Sequence, residues 1–298
     1  MDNNGTAGCK PFCDLLLTSQ LPLFDILSGG SIMINQDKEL EIIDKYINGM
    51  SINKLSKEYK LDWHFIERIL IKNNITIRKQ YKINENYFHL IDTPNKAYIL
   101  GFLYADGCNS SNYNKKRYCV TITLQSSDSQ ILYDIKNEIG YEAPIKFREY
   151  DGCERVTLDI CNKHMVLKLH EFGLIPNKTL TLKFPEWLNE DLYSHFIRGY
   201  FDGDGCITSN NRKVSPQLAA SIVSTTDMCK SIADVVFNKC NATAHIYDVG
   251  HEKCNNTIKT FMLTGNLQCK RFLNYIYQDA DLKLLRKYQK YIDWYSNK

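Results

Sequence analysis

The sequence predicts an α+β protein, an all-α module followed by two copies of one unit that reads helix, strand, helix, strand, strand, helix. Three observations carry that expectation. A nine-residue stretch occurs twice, as Ile99-Leu-Gly-Phe-Leu-Tyr-Ala-Asp-Gly107 and Ile197-Arg-Gly-Tyr-Phe-Asp-Gly-Asp-Gly205, each a mostly apolar helical turn or two closed by a carboxylate and a glycine. The elements after each copy come in the same order, and Val120-Thr-Ile-Thr-Leu-Gln-Ser-Ser-Asp128 corresponds to Ala219-Ala-Ser-Ile-Val-Ser-Thr-Thr-Asp227, the mark of a duplicated architecture. Ahead of both, from Lys38 to Lys72, the apolar residues keep a helical spacing.

Residues 1–35 are left unassigned, because Gly5, Gly8, Pro11, Pro22 and the Gly29-Gly30 pair break any long period. From Lys38, Leu40, Ile42, Ile43, Tyr46 and Ile47 share one helical face that stops at Gly49. Ser51 caps a second short helix with Ile52, Leu55 and Tyr59. Leu61-Asp62 leads into a third with Phe65, Ile66, Ile69 and Leu70. Short helix, tight turn and helix over residues 36–82 form a helix-turn-helix, whose second helix can enter a major groove. The segment Gly49-Met-Ser-Ile-Asn-Lys-Leu-Ser-Lys-Glu-Tyr59 resembles the resolvase-type version. On that reading Trp63, His64, Glu67, Arg68 and Lys72 lie near the exposed side of the recognition helix. A plain three-helix bundle is the competing reading. Arg78, Lys79 and Lys82, with Tyr81 among them, make a basic linker suited to following phosphates.

Residues 83–185 form the first repeat. After its motif helix, Tyr118 to Leu124 alternates as a strand, Ser127-Asp128 caps a helix through Ile139, Ala143 to Phe147 and Arg155 to Ile160 read as strands, and a helix from Lys163 to Phe172 ends at Gly173. The second repeat, 186–298, gives a strand at Leu218 to Val223, a helix after Thr226-Asp227, strands at Ala244 to Tyr247 and Lys259 to Leu263, and a helix from Leu267 to Tyr277.

Small residues recur at a four-residue interval, Gly101 with Ala105 and Gly199 with Gly203, so each motif helix carries a stripe on which two backbones can meet. Side by side, the two helices bring Asp106 and Asp204 together at their C-terminal ends, although these acids are 98 positions apart. Paired carboxylates at one point suggest a divalent metal site.

Both stretches resemble the nine-residue signature of the LAGLIDADG homing endonucleases, and a chain with two copies resembles the monomeric, pseudo-symmetric members. The resemblance covers roughly the last two hundred residues. It departs from the pattern at Tyr104, where the first copy lacks the usual first acid, and at Arg198 in the second. The resemblance implies two αββαββα repeats whose antiparallel sheets form a saddle over double-stranded DNA. It implies Asp106 and Asp204 as metal ligands, with the carbonyls of Ala105 and Gly203 as further ligands, and Mg²⁺ or Mn²⁺ as the cofactor. Mg²⁺ suits such a site because it binds through one or two carboxylates and keeps several waters. It also implies a basic residue beside each acid: Lys178 in the first repeat, and in the second one of Lys283, Arg286 and Lys287, a choice the sequence leaves open. Sequence readout is expected from alternating strand residues, notably Tyr118, Thr121, Thr123, Lys146, Arg148 and Arg155. The implied activity is site-specific double-strand cleavage by a mobile genetic element engaged in intron homing. An RNA maturase and a non-cleaving DNA-binding regulator are the alternatives.

Composition is compatible with this reading. Forty-four per cent hydrophobic and 24% charged residues over 298 positions suit a soluble globular chain, and a net charge of +3 permits nucleic-acid binding without requiring it. The eleven cysteines, Cys9 and Cys13 included, form no zinc-module spacing and are expected to be reduced thiols. The run from Leu15 to Leu27 is broken by Ser19, Gln20, Pro22 and Asp25, so no membrane segment is expected. The expectation is thus a monomer in the cytoplasm or the DNA-containing compartment, with no small-molecule cofactor.

Overall fold

The computed structural model describes residues 25–26, 32–77, 81–114, 117–210, 216–249 and 257–296. The chain divides into two compact units, Met1–Lys79 and Gln80–Lys298.

In the first unit, short strands β1 (Asp25–Ile26) and β2 (Ile32–Met33) pair antiparallel in a stretch where no element was expected. Three helices follow: α1 (Gln36–Ile47), α2 (Ile52–Tyr59) and α3 (Trp63–Lys72). Each is capped by the side chain before it, Asn35, Ser51 and Asp62 accepting from the first-turn amides of Asp37, Lys54 and His64. Ile42, Tyr46, Leu55, Ile66 and Leu70 form the core. Leu40 and Ile47, expected on the buried face, are exposed, because three short helices cover only the stripe through Ile42, Ile43 and Tyr46. The turn from α2 to α3 passes through Lys60 in the left-handed region, with φ 53°, and the Ser56 hydroxyl donates to Leu61 O at 2.6 Å.

The second unit contains both repeats. The first runs α4 (Pro94–Asp106), β3 (Gly107–Asn109), β4 (Val120–Gln125), α5 (Ser129–Glu138), β5 (Lys146–Tyr150), β6 (Cys153–Ile160) and α6 (Lys163–Glu171). The second runs α7 (Tyr193–Asp204), β7 (Gly205–Asn210), β8 (Gln217–Thr225), α8 (Thr226–Cys240), β9 (His245–Asp248), β10 (Ile258–Thr264) and α9 (Asn266–Tyr277), and a further helix, α10 (Leu285–Ser296), follows it. The sheets are antiparallel, in the orders β3-β4-β6-β5 and β7-β8-β10-β9. This is the expected α+β fold of two αββαββα repeats.

Several boundaries move for physical reasons. The strand expected at Ala143 to Phe147 is β5, which runs outward through Lys146–Tyr150 with every residue exposed. With neither face covered, no apolar alternation marks it, and it turns at Asp151-Gly152, both at positive φ. Asp128 does not cap α5; a short 3₁₀ turn (Ser126–Asp128) precedes the helix and Asp128 binds Arg286 instead. Cys119 and Cys161, expected as reduced thiols, are joined as a disulfide. The register that pairs Val120 with Ile160 sets them opposite one another across β4 and β6.

α4 and α7 are buried on nearly every side, from Ala97 to Tyr104 and from Phe196 to Asp202. They run parallel and touch backbone to backbone. A Cβ at Gly101 would lie 2.1 Å from Phe196 O, one at Gly199 1.9 Å from Tyr98 O, and one at Gly203 2.3 Å from the Ala105 Cβ. The inner residues of both sheets, such as Ile122 and Leu158 or Ile222 and Phe261, pack with these helices into one continuous core.

Candidate functional site

The parallel central helices end level with one another, so their last residues, Asp106 and Asp204, are neighbours: a Cβ at Gly203 would lie 3.1 Å from an Asp106 carboxylate oxygen. The glycine that follows each acid keeps an ordinary negative φ, −75° at Gly107 and −77° at Gly205. Glycine is required there for space: a Cβ would come within 2.4 Å of Leu103 O at Gly107 and of Phe201 O at Gly205. The chain thereby passes from helix straight into β3 or β7. Burial, and then the nearby charge of Asp204, push the Asp106 carboxyl up to about 6. Burial likewise raises Asp204, while Lys178, Lys287 and the Tyr200 hydroxyl favour its charged form.

A lysine closes each helix end. Lys178 Nζ, on the link between the repeats, donates to Ala105 O at 3.2 Å. Lys287 Nζ, on α10, donates to Phe201 O, Asp202 O and Gly203 O at 2.8, 2.7 and 2.9 Å. Cations at helix C-termini offset the dipole. Burial depresses both ammoniums, Lys287 to about 8. Of the three second-repeat basic residues, Lys287 alone stands at the helix end: Lys283 donates to Ala280 O at 2.8 Å, and Arg286 binds both oxygens of Asp128. The carbonyls of Ala105 and Gly203, expected as metal ligands, are thus lysine acceptors.

The motif positions that depart from the family pattern, Tyr104 and Arg198, are buried and tie the central helices to their surroundings. Asp202 is fully buried and accepts from Tyr98 Oη at 2.9 Å, Tyr277 Oη at 2.6 Å and Leu284 N at 2.7 Å. At the same position of the first copy, the Tyr104 hydroxyl donates to Phe172 O. Arg198 lies wholly inside the core, donating to Leu282 O and Ile276 O, with its guanidinium over the Tyr98 ring. Sequence reasoning missed the Tyr200 hydroxyl, which meets Ser224 Oγ at 2.7 Å beside Asp204; its counterpart in the first copy is Phe102, and that difference was a readable signal.

The expected DNA-facing residues divide. In α3, His64 and Arg68 are exposed, with His64 Nδ1 3.4 Å from Glu67 and Arg68 over the Phe65 ring. Trp63 is not on the exposed side; it is half-buried against the module core. Lys72 is ion-paired to Glu39 at 3.1 Å. Arg78 and Lys79 lie outside the described residues, and Lys82 is 87% exposed. On the first sheet, Thr121, Thr123, Lys146, Arg148 and Arg155 share the outward face. Lys146 is held by Asp159 at 2.6 Å, which also accepts from Thr121 at 2.8 Å. Tyr118 precedes the strand and packs against the core edge.

Among the described residues no group of three or more His, Cys, Asp and Glu side chains could hold a metal, and no helix is long and apolar enough to cross a membrane. Residues 191–277 match the family model described as the LAGLIDADG-like domain. The uncharacterized protein MJ0398 of Methanocaldococcus jannaschii is 27% identical over 192 residues, 59% of this chain, and the match spans 65% of that protein's length. Among solved structures, the I-LtrWI LAGLIDADG homing endonuclease bound to target DNA is 14% identical, with 71% of this chain and 90% of that chain covered and a TM-score of 0.47. The I-SmaMI LAGLIDADG homing endonuclease bound to cleaved DNA is 13% identical, with 69% and 88% covered and a TM-score of 0.46. Over residues 191–277 the chain is thus similar to the LAGLIDADG-like domain, and the same motif and αββαββα unit occur once more ahead of the matched stretch.

Proposed function

We propose that the chain is a site-specific endonuclease that cuts both strands of double-stranded DNA by hydrolysing phosphodiester bonds, with Mg²⁺ or Mn²⁺ held at Asp106 and Asp204. The observation that carries this reading is the convergence of the two acids at the ends of parallel helices, each end closed by a lysine. The donor set fits a hard divalent cation: two carboxylates that burial and mutual repulsion disfavour as anions gain from a shared positive charge. Such an ion supplies a polarised phosphoryl oxygen and an acidified water. The chain's own part is to hold the two carboxylates rigidly. Backbone contact at Gly101, Gly199 and Gly203 fixes the helix ends, and Lys178 and Lys287 hold the last carbonyls in place.

Each sheet carries a strand pair with an exposed outer strand, β5 or β9, and a two-stranded β-ribbon can enter a major groove; the helix-turn-helix unit offers His64 and Arg68 for a second contact. Two acids, one from each repeat, suit one cut on each strand.

The test is direct. Duplexes selected for binding from a random pool are incubated with the full chain in Mg²⁺ and in chelator. Double-strand cuts in Mg²⁺ alone are expected. Asp204→Asn should keep binding and lose cutting by roughly a hundredfold or more, the scale of one transition-state contact. Cutting in chelator, or full activity of Asp204→Asn, overturns the assignment.

A further inference from the structure

The two outward sheet faces are built from the same duplicated unit, yet their chemistry differs. The register brings Lys146, Arg148, Arg155 and Asp159 to the outward face of the first sheet, with Thr123 and Thr157 between them. Arg148 stands directly opposite Arg155 in the β5–β6 hairpin, and Asp159 bridges Thr121 and Lys146. This face holds forked and pointed cations beside a carboxylate.

On the second sheet, the same parity places Ala219, Ser221, Val223, Tyr247, Thr260 and Met262 outward, together with Gln217 and the imidazole of His245. Among the described residues of that face there is no lysine or arginine. Val223, in a central strand, is 49% exposed and Tyr247 50% exposed, so apolar surface lies uncovered in the middle of a sheet. Lys259 is directed to the other parity, where it pairs with Asp248.

Base edges in the major groove discriminate between these chemistries. Guanine offers two acceptors that an Arg or Lys binds, and cytosine offers an amino donor to a carboxylate. Thymine alone offers a methyl group, which apolar side chains and the threonine methyl contact. We infer that the target is compositionally lopsided: the half under residues 83–185 is rich in G·C pairs and the half under residues 186–296 is rich in A·T pairs, read through thymine methyls. This inference rests on the endonuclease reading above and adds the sequence class of its substrate.

The experiment is a binding selection from random duplexes with the full chain in Ca²⁺, repeated with Arg148→Ala, Arg155→Ala, Val223→Ser and Met262→Ser. The expected consensus has one G·C-rich and one A·T-rich half. The arginine variants relax the G·C half by roughly tenfold per contacted pair and leave the other unchanged; the Val223 and Met262 variants act on the A·T half alone. A consensus of equal composition in both halves, or arginine variants that relax both halves, overturns the inference while leaving the endonuclease reading intact. A wild-type chain that selects no sequence overturns both.

Discussion

The two acid centres arise from one repeated motif but are secured by different means. Asp106 is closed by Lys178, which comes from the segment joining the repeats and reaches one carbonyl. Asp204 is closed by Lys287, which comes from α10, an element without a counterpart in the first repeat, and reaches three. Beside Asp204 stands the Tyr200–Ser224 pair, whereas the first copy has Phe102. Asp202 ties α7 to the start of α10 through Leu284 N; Tyr104 ties α4 to the end of α6 through Phe172 O. The helix contact stayed symmetric because close backbone approach admits only small residues, while the surroundings of each end were free to diverge.

The largest effects should be the symmetric ones. Gly101→Ala and Gly199→Ala each place a Cβ about two ångströms from a carbonyl oxygen of the facing helix, at 2.1 and 1.9 Å. Both should lose on the order of 3 kcal/mol or more through overpacking, with similar drops in melting temperature. A variant of either glycine that melts like wild type would break the symmetry of the contact.

The lysines test the asymmetry. Lys287→Met removes the lysine donor from Phe201 O, Asp202 O and Gly203 O, of which Phe201 O keeps the Gly205 N–H, and should cost roughly 2 to 4 kcal/mol. Lys178→Met removes a single, longer hydrogen bond and should cost about 1 kcal/mol. Urea denaturation of the two variants at constant m value measures the difference. Equal losses would mean that α10 holds its helix end no more firmly than the link does.

The smallest effect is electrostatic. The folded Asp106 carboxyl titrates at about 6 against an ordinary 3.8, so the folded chain favours its protonated form. That contribution is complete below about pH 3.8 and is lost as pH rises through about 6. Asp106→Asn should therefore be more stable than wild type at pH 7 in chelator. The rise in pKa sets a ceiling of about 3 kcal/mol, which solvent screening at the open side reduces to roughly 1 to 2 kcal/mol. No gain is expected below about pH 4. Paired melting curves across this range check it, and a gain that persists in acid would assign the effect to packing.

The central helices, their stripe of small residues and the order of the flanking elements were legible because each is a local pattern repeated at a fixed interval. β3 and β7 were not, since an Asp-Gly pair reads as a turn and only the folded chain shows Gly107 and Gly205 continuing as strand. The candidates Lys283, Arg286 and Lys287 could not be ranked in sequence, because the choice depends on which face of α10 meets α7. The bond between Arg286 and Asp128 and the Cys119–Cys161 bridge join residues that nothing local relates. The outer end of β5, from Arg148 to Tyr150, escaped placement because it has no buried face to impose a period.

Parallel helices that end together also set two dipoles side by side with their negative ends adjacent. Each C-terminus carries about half a negative charge, so with Asp106 and Asp204 ionised the focus holds about three negative charges, of which the two ammoniums of Lys178 and Lys287 return two. The remaining deficit of roughly one negative charge makes this spot repel anions, and on the proposed reading a bound doubly charged cation would invert its sign. On that reading, metal concentration would set the fraction of molecules that admit a phosphate at the centre, while binding of flanking duplex by the sheet faces would not depend on it.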